Sequence, residues 1–186
     1  GKDNTGESFT ISEDTPDISK IVGSKKINSW TVSAERIEEL DGKEFLIKNK
    51  QSGFYMRTLR NSPGDGAIIQ QGKNNNTDFM IWRFEAVKDG LYKIGNKGSS
   101  KVLQVRKPAI YDGNYIEQST YYEKENQHFI VQYDKTSDSY KLIPLNSMKY
   151  VGLADKDEKK ENTTLTQRKL SSFLSTDWIL EEPLVD

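Results

Sequence analysis

A pattern of 47–49 residues occurs three times in this chain of 186 residues. A repeat of that length limits the fold to architectures built from equal units. Phe45-Leu46-Ile47-Lys48 matches Tyr92-Lys93-Ile94-Gly95, and both match Tyr140-Lys141-Leu142-Ile143. Further along, Met56 aligns with Leu103 and Val151. Ala67-Ile68-Ile69-Gln70-Gln71 then aligns with Asn114-Tyr115-Ile116-Glu117-Gln118 and with Thr163-Thr164-Leu165-Thr166-Gln167. Each copy next reaches an aromatic residue: Trp82, Phe129 and Trp178. The intervals are 47 and 48 residues for the Phe45 column and 47 and 49 for the Ile69 column. Chance seldom holds four columns in register over two intervals.

Every copy divides into about four short alternating segments. Turn signals separate them, among them Ser52-Gly53, Pro63-Gly64-Asp65-Gly66, Asp89-Gly90, Asp112-Gly113 and Ser137-Asp138. Short, evenly spaced strands indicate an all-β barrel or sandwich. Three copies of four strands predict a β-trefoil, a six-stranded barrel capped by three hairpins. A propeller of the same unit length is excluded, because propellers typically need four or more blades to close. The predicted domain spans residues 28–186, with copies at about 44–90, 91–138 and 139–182. Phe45, Tyr92, Tyr140, Ile47, Ile94, Leu142, Met56, Leu103, Val151, Ile69, Ile116, Leu165 and the three aromatics form the expected core. Burying each large one contributes about 1.5–3 kcal/mol. Trp30-Thr31-Val32-Ser33-Ala34 resembles Trp82-Arg83-Phe84-Glu85-Ala86. It therefore competes with Trp178-Ile179-Leu180-Glu181 for one strand position. Register favours 178–181, which follow directly on their own repeat, and leaves the Trp30 segment alongside or at an edge.

Only 34% of the residues are hydrophobic, so the repeat matters: the few apolar side chains recur at the same place in each unit. Charged residues make up 30% of the chain but balance to a net −1, which leaves no global field to hold nucleic acid or an anionic membrane. With no cysteine and one histidine, disulfides, thiol catalysis and a His-based metal cluster are excluded. His128 lies on the face of its strand opposite Phe129 by alternation, which reads as an ordinary surface histidine. Paired carboxylates such as Glu38-Glu39 and Glu181-Glu182 sit in exposed-looking segments with no sign of the cleft a glycosidase needs. No cofactor, metal or catalysis is expected.

Residues 1–27 are rich in Ser, Thr, Asp, Gly and Lys and read as a polar tether or extension. Lys2-Asp3-Asn4 resembles the polar stretch after the lipid-bearing cysteine of many bacterial surface lipoproteins. That resemblance implies an extracytoplasmic location, on a bacterial cell surface, with membrane contact only through a lipid anchor upstream. An arbitrary chain boundary is the alternative.

Within the copies, Ser100-Lys101-Val102-Leu103-Gln104-Val105, Gly113-Asn114-Tyr115-Ile116-Glu117-Gln118 and Asn126-Gln127-His128-Phe129 follow a known order. It is Gly/Ser-x-x-Leu-x-Val, then Gly-x-x-Ile-x-Gln, then Asn-Gln-x-Trp. Over roughly residues 44–182 the chain resembles the ricin-type β-trefoil lectins, with the Gln-x-Trp signature worn to Met80-Ile81-Trp82, Gln127-His128-Phe129 and Thr176-Asp177-Trp178. The resemblance implies sugar pockets built from an Asp, an aromatic platform and the Asn of Asn-Gln-x-Trp. Here the Asp column reads Arg57, Gln104 and Gly152, and the platform column reads Gly72, Ser119 and Arg168. Only the second copy keeps its Asn, as Asn126. The resemblance therefore implies glycan binding by a surface-tethered or secreted module, through Gln104, Glu117, Tyr121 and Asn126. Tyr121 or Tyr122 would replace the platform; the alternative is that both merely cover the hairpin cap. Asn74-Asn75-Asn76 reads first as a turn. The rival reading of the whole is a trefoil that has lost sugar binding and serves as a protein-interaction or structural module.

Overall fold

The computed structural model describes residues 40–153, 160–170 and 176–184. The first copy supplies strands β1 Glu44–Asn49, β2 Tyr55–Thr58, β3 Ile69–Gly72 and β4 Ile81–Lys88. The second supplies β5 Leu91–Asn96, β6 Val102–Val105, β7 Ile116–Ser119 and β8 Phe129–Asp134. The third supplies β9 Ser139–Pro144, β10 Tyr150–Leu153, β11 Leu165–Arg168 and β12 Trp178–Glu181. Among the described residues, helix is confined to three 3₁₀ turns at Leu59–Asn61, Asp78–Met80 and Glu125–Gln127.

Strand pairing closes a ring. β1 pairs with β4, β4 with β5, β5 with β8, β8 with β9, β9 with β12, and β12 returns to β1. Such closure removes the exposed edge that an open sheet would present. The remaining strands form the hairpins β2–β3, β6–β7 and β10–β11, one from each copy. The fold is an all-β trefoil. β12 runs beside β1 from Leu46↔Glu181 to Asn49↔Trp178, so residues 178–181 hold the closing position. The Trp30 segment and the 1–27 extension lie outside the described residues.

The repeated apolar columns fill the interior. Ile47, Met56, Ile69, Trp82, Ile94, Leu103, Ile116, Phe129, Leu142, Val151, Leu165 and Trp178 are fully shielded from solvent. Tyr140 departs from its column. It is only partly buried and tilts against Tyr133 at 5.3 Å between ring centroids, an amphipathic ring with one end left wet. Two of the three signature aromatics also make a hydrogen bond in the core. Trp82 Nε1 donates to the Met56 carbonyl at 3.0 Å, and Trp178 Nε1 donates to the Val151 carbonyl at 3.1 Å. Phe129 has no donor to offer.

A cycle of glutamines locks the copies together. Gln118 Nε2, in the second copy, donates to the carbonyls of Ser62 and Gly64 in the first. Gln167 of the third copy donates in the same way to Ala109 and Tyr111 of the second. Gln71 of the first donates to Lys160 of the third. The backbone follows the same cycle: Gly66 N, Gly113 N and Asn162 N donate to the carbonyls of Gln118, Gln167 and Gln71 at 2.8, 2.8 and 2.9 Å. These three donors have φ of 82°, 88° and 71°, a left-handed conformation that glycine takes freely and asparagine tolerates.

The third copy is the irregular one. Asn49 and Asn96 each cap the turn after their strand, their Oδ1 accepting from Gln51 N and Ser52 N, and from Gly98 N and Ser99 N. Pro144 stands at the equivalent end of β9 and has no such acceptor. The hydroxyls of Ser52 and Ser99 donate to Gln71 Oε1 and Gln118 Oε1 at 2.7 and 2.9 Å. Gln167 Oε1, by contrast, is buried without a partner among the described residues, as are both polar side-chain atoms of Asn146.

Candidate functional site

Gln104 and Glu117 face each other across the β6–β7 hairpin, so their side chains share one face. Gln104 Nε2 donates to Glu117 Oε2 at 2.6 Å. Arg106, one residue past the end of β6, donates Nε to Glu117 Oε1 at 2.8 Å. Glu117 is 7% exposed, a nearly buried carboxylate held by a guanidinium on one oxygen and an amide on the other. Gln127 completes the cluster by donating Nε2 to Gln104 Oε1 at 3.0 Å and to the Thr120 carbonyl at 2.8 Å. Its own Oε1 accepts from Tyr122 N.

Asn126 sits on the 3₁₀ turn Glu125–Gln127 and donates Nδ2 to the Val105 carbonyl at 2.8 Å, which ties that turn to the end of β6. The structure thus gathers Gln104, Glu117 and Asn126 around β6. It directs Tyr121 elsewhere: the hydroxyl meets His128 Nε2 at 2.8 Å, and Lys93 Nζ lies 4.4 Å from its ring centroid. Burial raises the Tyr121 pKa against the opposing pull of Lys93. Tyr122 instead projects outward, 62% exposed. His128 is not the surface residue that strand alternation suggests. It is 8% exposed, because Tyr121 covers the ring, and burial holds its pKa below the usual value.

In the first copy the two departures from the expected pattern lie in contact. Arg57 pairs across the hairpin with Gln70, and its guanidinium lies against Gly72, where an added Cβ would stand 2.2 Å from Arg57 Cζ. An aromatic at position 72 would have to displace the Arg57 guanidinium from the place it holds. Arg57 Nη2 donates to Asn162 Oδ1 at 2.7 Å.

Residues 28–107 and 80–168 match the family described as Ricin-type beta-trefoil lectin domain-like. The chain belongs to that family. Solved structures agree on the ricin-type trefoil. The designed threefold-symmetric protein ThreeFoil matches with a TM-score of 0.69 and 25% identity, over 75% of this chain and 98% of its own. The exo-β-1,3-galactanase 1,3Gal43A of Clostridium thermocellum matches at 0.71 and 25%, over 76% of this chain but only 30% of the galactanase chain. A ricin B-like lectin of Macrolepiota procera, solved with lactose, shares the fold at 0.66 and 12% identity, over 77% of this chain and 97% of its own. No curated protein sequence matches the chain.

The third ricin-type copy carries its arginine on the opposite strand from the first. Arg168 of β11 pairs with Tyr150 and donates Nε to Thr166 Oγ1 at 3.3 Å, while Gly152 occupies the Asp column. Asn74-Asn75-Asn76 forms the turn it resembles, Asn74 Oδ1 accepting from Asn76 N and Asn75 Oδ1 from Thr77 N. Three members of the second-copy cluster were not named as site residues from sequence: Arg106, Gln127 and Tyr115, whose ring lies 5.0 Å from the Arg106 guanidinium. Gln127 was visible as the Gln of the worn signature, and the other two also had a signal. Arg106 follows Gln104 by two residues, and Tyr115 precedes the buried Ile116, so alternation turns it outward.

Proposed function

We propose that this chain binds carbohydrate or glycoconjugate as a non-catalytic module of a secreted or surface-tethered protein, and that its second copy holds a sugar site. The carrying observation is the fixed carboxylate of Glu117, held by Gln104 and Arg106 beside exposed tyrosines. An ionised carboxylate has about four lone-pair directions. Two are taken here, which leaves acceptors for sugar hydroxyls. Tyr115 and Tyr122, 40% and 62% exposed, offer apolar faces for the C–H surface of a pyranose. Asn126 holds the adjoining turn in place, and Tyr121 secures the wall behind it through His128.

A shallow pocket of this kind binds with a dissociation constant on the order of 1 mM, about −4 kcal/mol, so useful strength comes from multivalent display. Titration with simple galactosides and a multivalent glycan array tests the reading, comparing wild type with Glu117→Gln, Tyr122→Ala and Asn126→Ala. Binding that persists in all three variants places the site elsewhere. The rival class, a protein-interaction module, draws on Ile110 and Tyr111, both 62% exposed in the β6–β7 connection. It gains the field when no glycan binds even in multivalent form. Protease accessibility of the protein on intact cells checks the surface location.

A further inference from the structure

We propose that the first copy carries a second and chemically opposite site, a receptor for the acidic group of a saccharide, either a uronate-type carboxylate or a sulfate ester. A cavity of about 500 Å³ opens between the β2–β3 hairpin and the third copy, lined by Arg57, Arg60, Asn61, Gln70, Asn75 and Asn162 together with Leu59. Two guanidinium groups and four amides make this wall, and among the described residues no carboxylate lines it. Glu161 makes a long ion pair with Arg57, its Oε2 3.9 Å from Nη2, half-exposed at the rim and weak enough for a ligand anion to compete with it.

Three features mark the cavity as built to receive an anion. Arg57 is laid flat against Gly72 with its side chain 18% exposed, and Asn162 Oδ1 accepts from its Nη2 at 2.7 Å, which holds the guanidinium at the cavity wall. Arg60 forms no ion pair among the described residues, and it stands at the opening in a left-handed conformation, φ 54°. Asn61 follows it with the same φ of 54°. Consecutive left-handed non-glycine residues are strained and persist where surrounding structure holds them, commonly at ligand sites. Finally, the planar guanidinium of Arg57 presents a fork suited to two oxygens of a carboxylate or sulfate, while the amides of Asn75 and Asn162 suit neighbouring hydroxyls.

The inference rests on the glycan-binding reading and refines it, assigning neutral sugar to the second copy and acidic sugar to the first. The test is titration of the whole chain, followed by NMR shift changes, with galactose, galacturonate, galactose 6-sulfate and inorganic sulfate. Galacturonate or galactose 6-sulfate should bind at least tenfold more tightly than galactose and perturb Asn75 and Asn162, and which of the two wins identifies the acidic group. Binding should weaken as salt is raised and fall at least tenfold in Arg57→Ala and in Arg60→Glu. Arg60 is exposed, so the second variant keeps the fold even where the first does not. Equal binding of acidic and neutral sugars, or indifference to both substitutions, overturns the proposal. Inorganic sulfate binding as tightly as the sulfated sugar overturns it too, since the cavity then takes any small anion. Galactose binding that disappears in Tyr122→Ala while acidic sugars show no preference ends this inference and leaves the second-copy site standing. Silence from every sugar ends both.

Discussion

Trp82 donates its indole N–H to the carbonyl of Met56 at 3.0 Å, while Phe129, at the same place in the second copy, has nothing to donate. The two positions therefore separate the aromatic's volume from its hydrogen bond. Trp82→Phe keeps a ring but strands the Met56 carbonyl, and is expected to cost about 1–3 kcal/mol. Trp82→Ala removes the ring as well and should cost about 3–5 kcal/mol. Urea unfolding monitored by the remaining tryptophans measures both. A loss under about 1 kcal/mol for the alanine variant contradicts a core role.

The glutamine cycle predicts that a polar substitution far from any ligand is destabilising. Gln118→Leu preserves volume but leaves the Ser62 and Gly64 carbonyls without their donor. The expected cost is about 1–3 kcal/mol by chemical denaturation. If Gln118→Leu is as stable as wild type, the side-chain bonds of Gln118 between copies contribute nothing.

Three serines at equivalent turns should not respond alike. Ser52→Ala and Ser99→Ala each remove a hydroxyl bond to a buried glutamine oxygen, whereas Ser147 makes no bond to Gln167 Oε1. The first two should each lose about 1 kcal/mol more than Ser147→Ala. Thermal unfolding of the three variants side by side resolves the difference.

His128 sets a pH dependence. Burial holds its pKa below 6.5 in the fold, against the opposing pull of Glu123 and Glu125. The unfolded chain therefore binds the proton first, and its contribution to stability is present above pH 6.5. It is lost as pH falls from there through the lowered folded value. Stability should begin to decline as pH falls below 6.5, before the carboxylates titrate. His128→Gln should flatten the decline, and an unchanged slope in that variant would assign it to another group.

Ile69, Ile116 and Leu165 were legible as core from sequence because burial demands an apolar side chain at the same point of every unit. Trp178 was legible as the start of the closing strand for the same reason, since its own repeat fixes its register. The site was less readable. That Arg57 and Gly72 form one arrangement depends on which face of β2 meets which face of β3, and neither segment shows this alone. The burial of His128 comes from Tyr121, a residue beyond the end of β7, so strand alternation carries no trace of it. The vacant acceptor left by Pro144 became visible only once β1, β5 and β9 were compared end to end.

The hydrogen bonds of Gln71, Gln118 and Gln167 run in a circle, each copy leaning on the one before it and the first on the third. Such a circle has no first member. One unit released from the chain holds a glutamine with nowhere to point and loop carbonyls with nothing to receive, and two units leave one of each unmatched. Only a set of three satisfies every member. Deleting any one copy therefore breaks the circle at two places, so the three units are expected to unfold together.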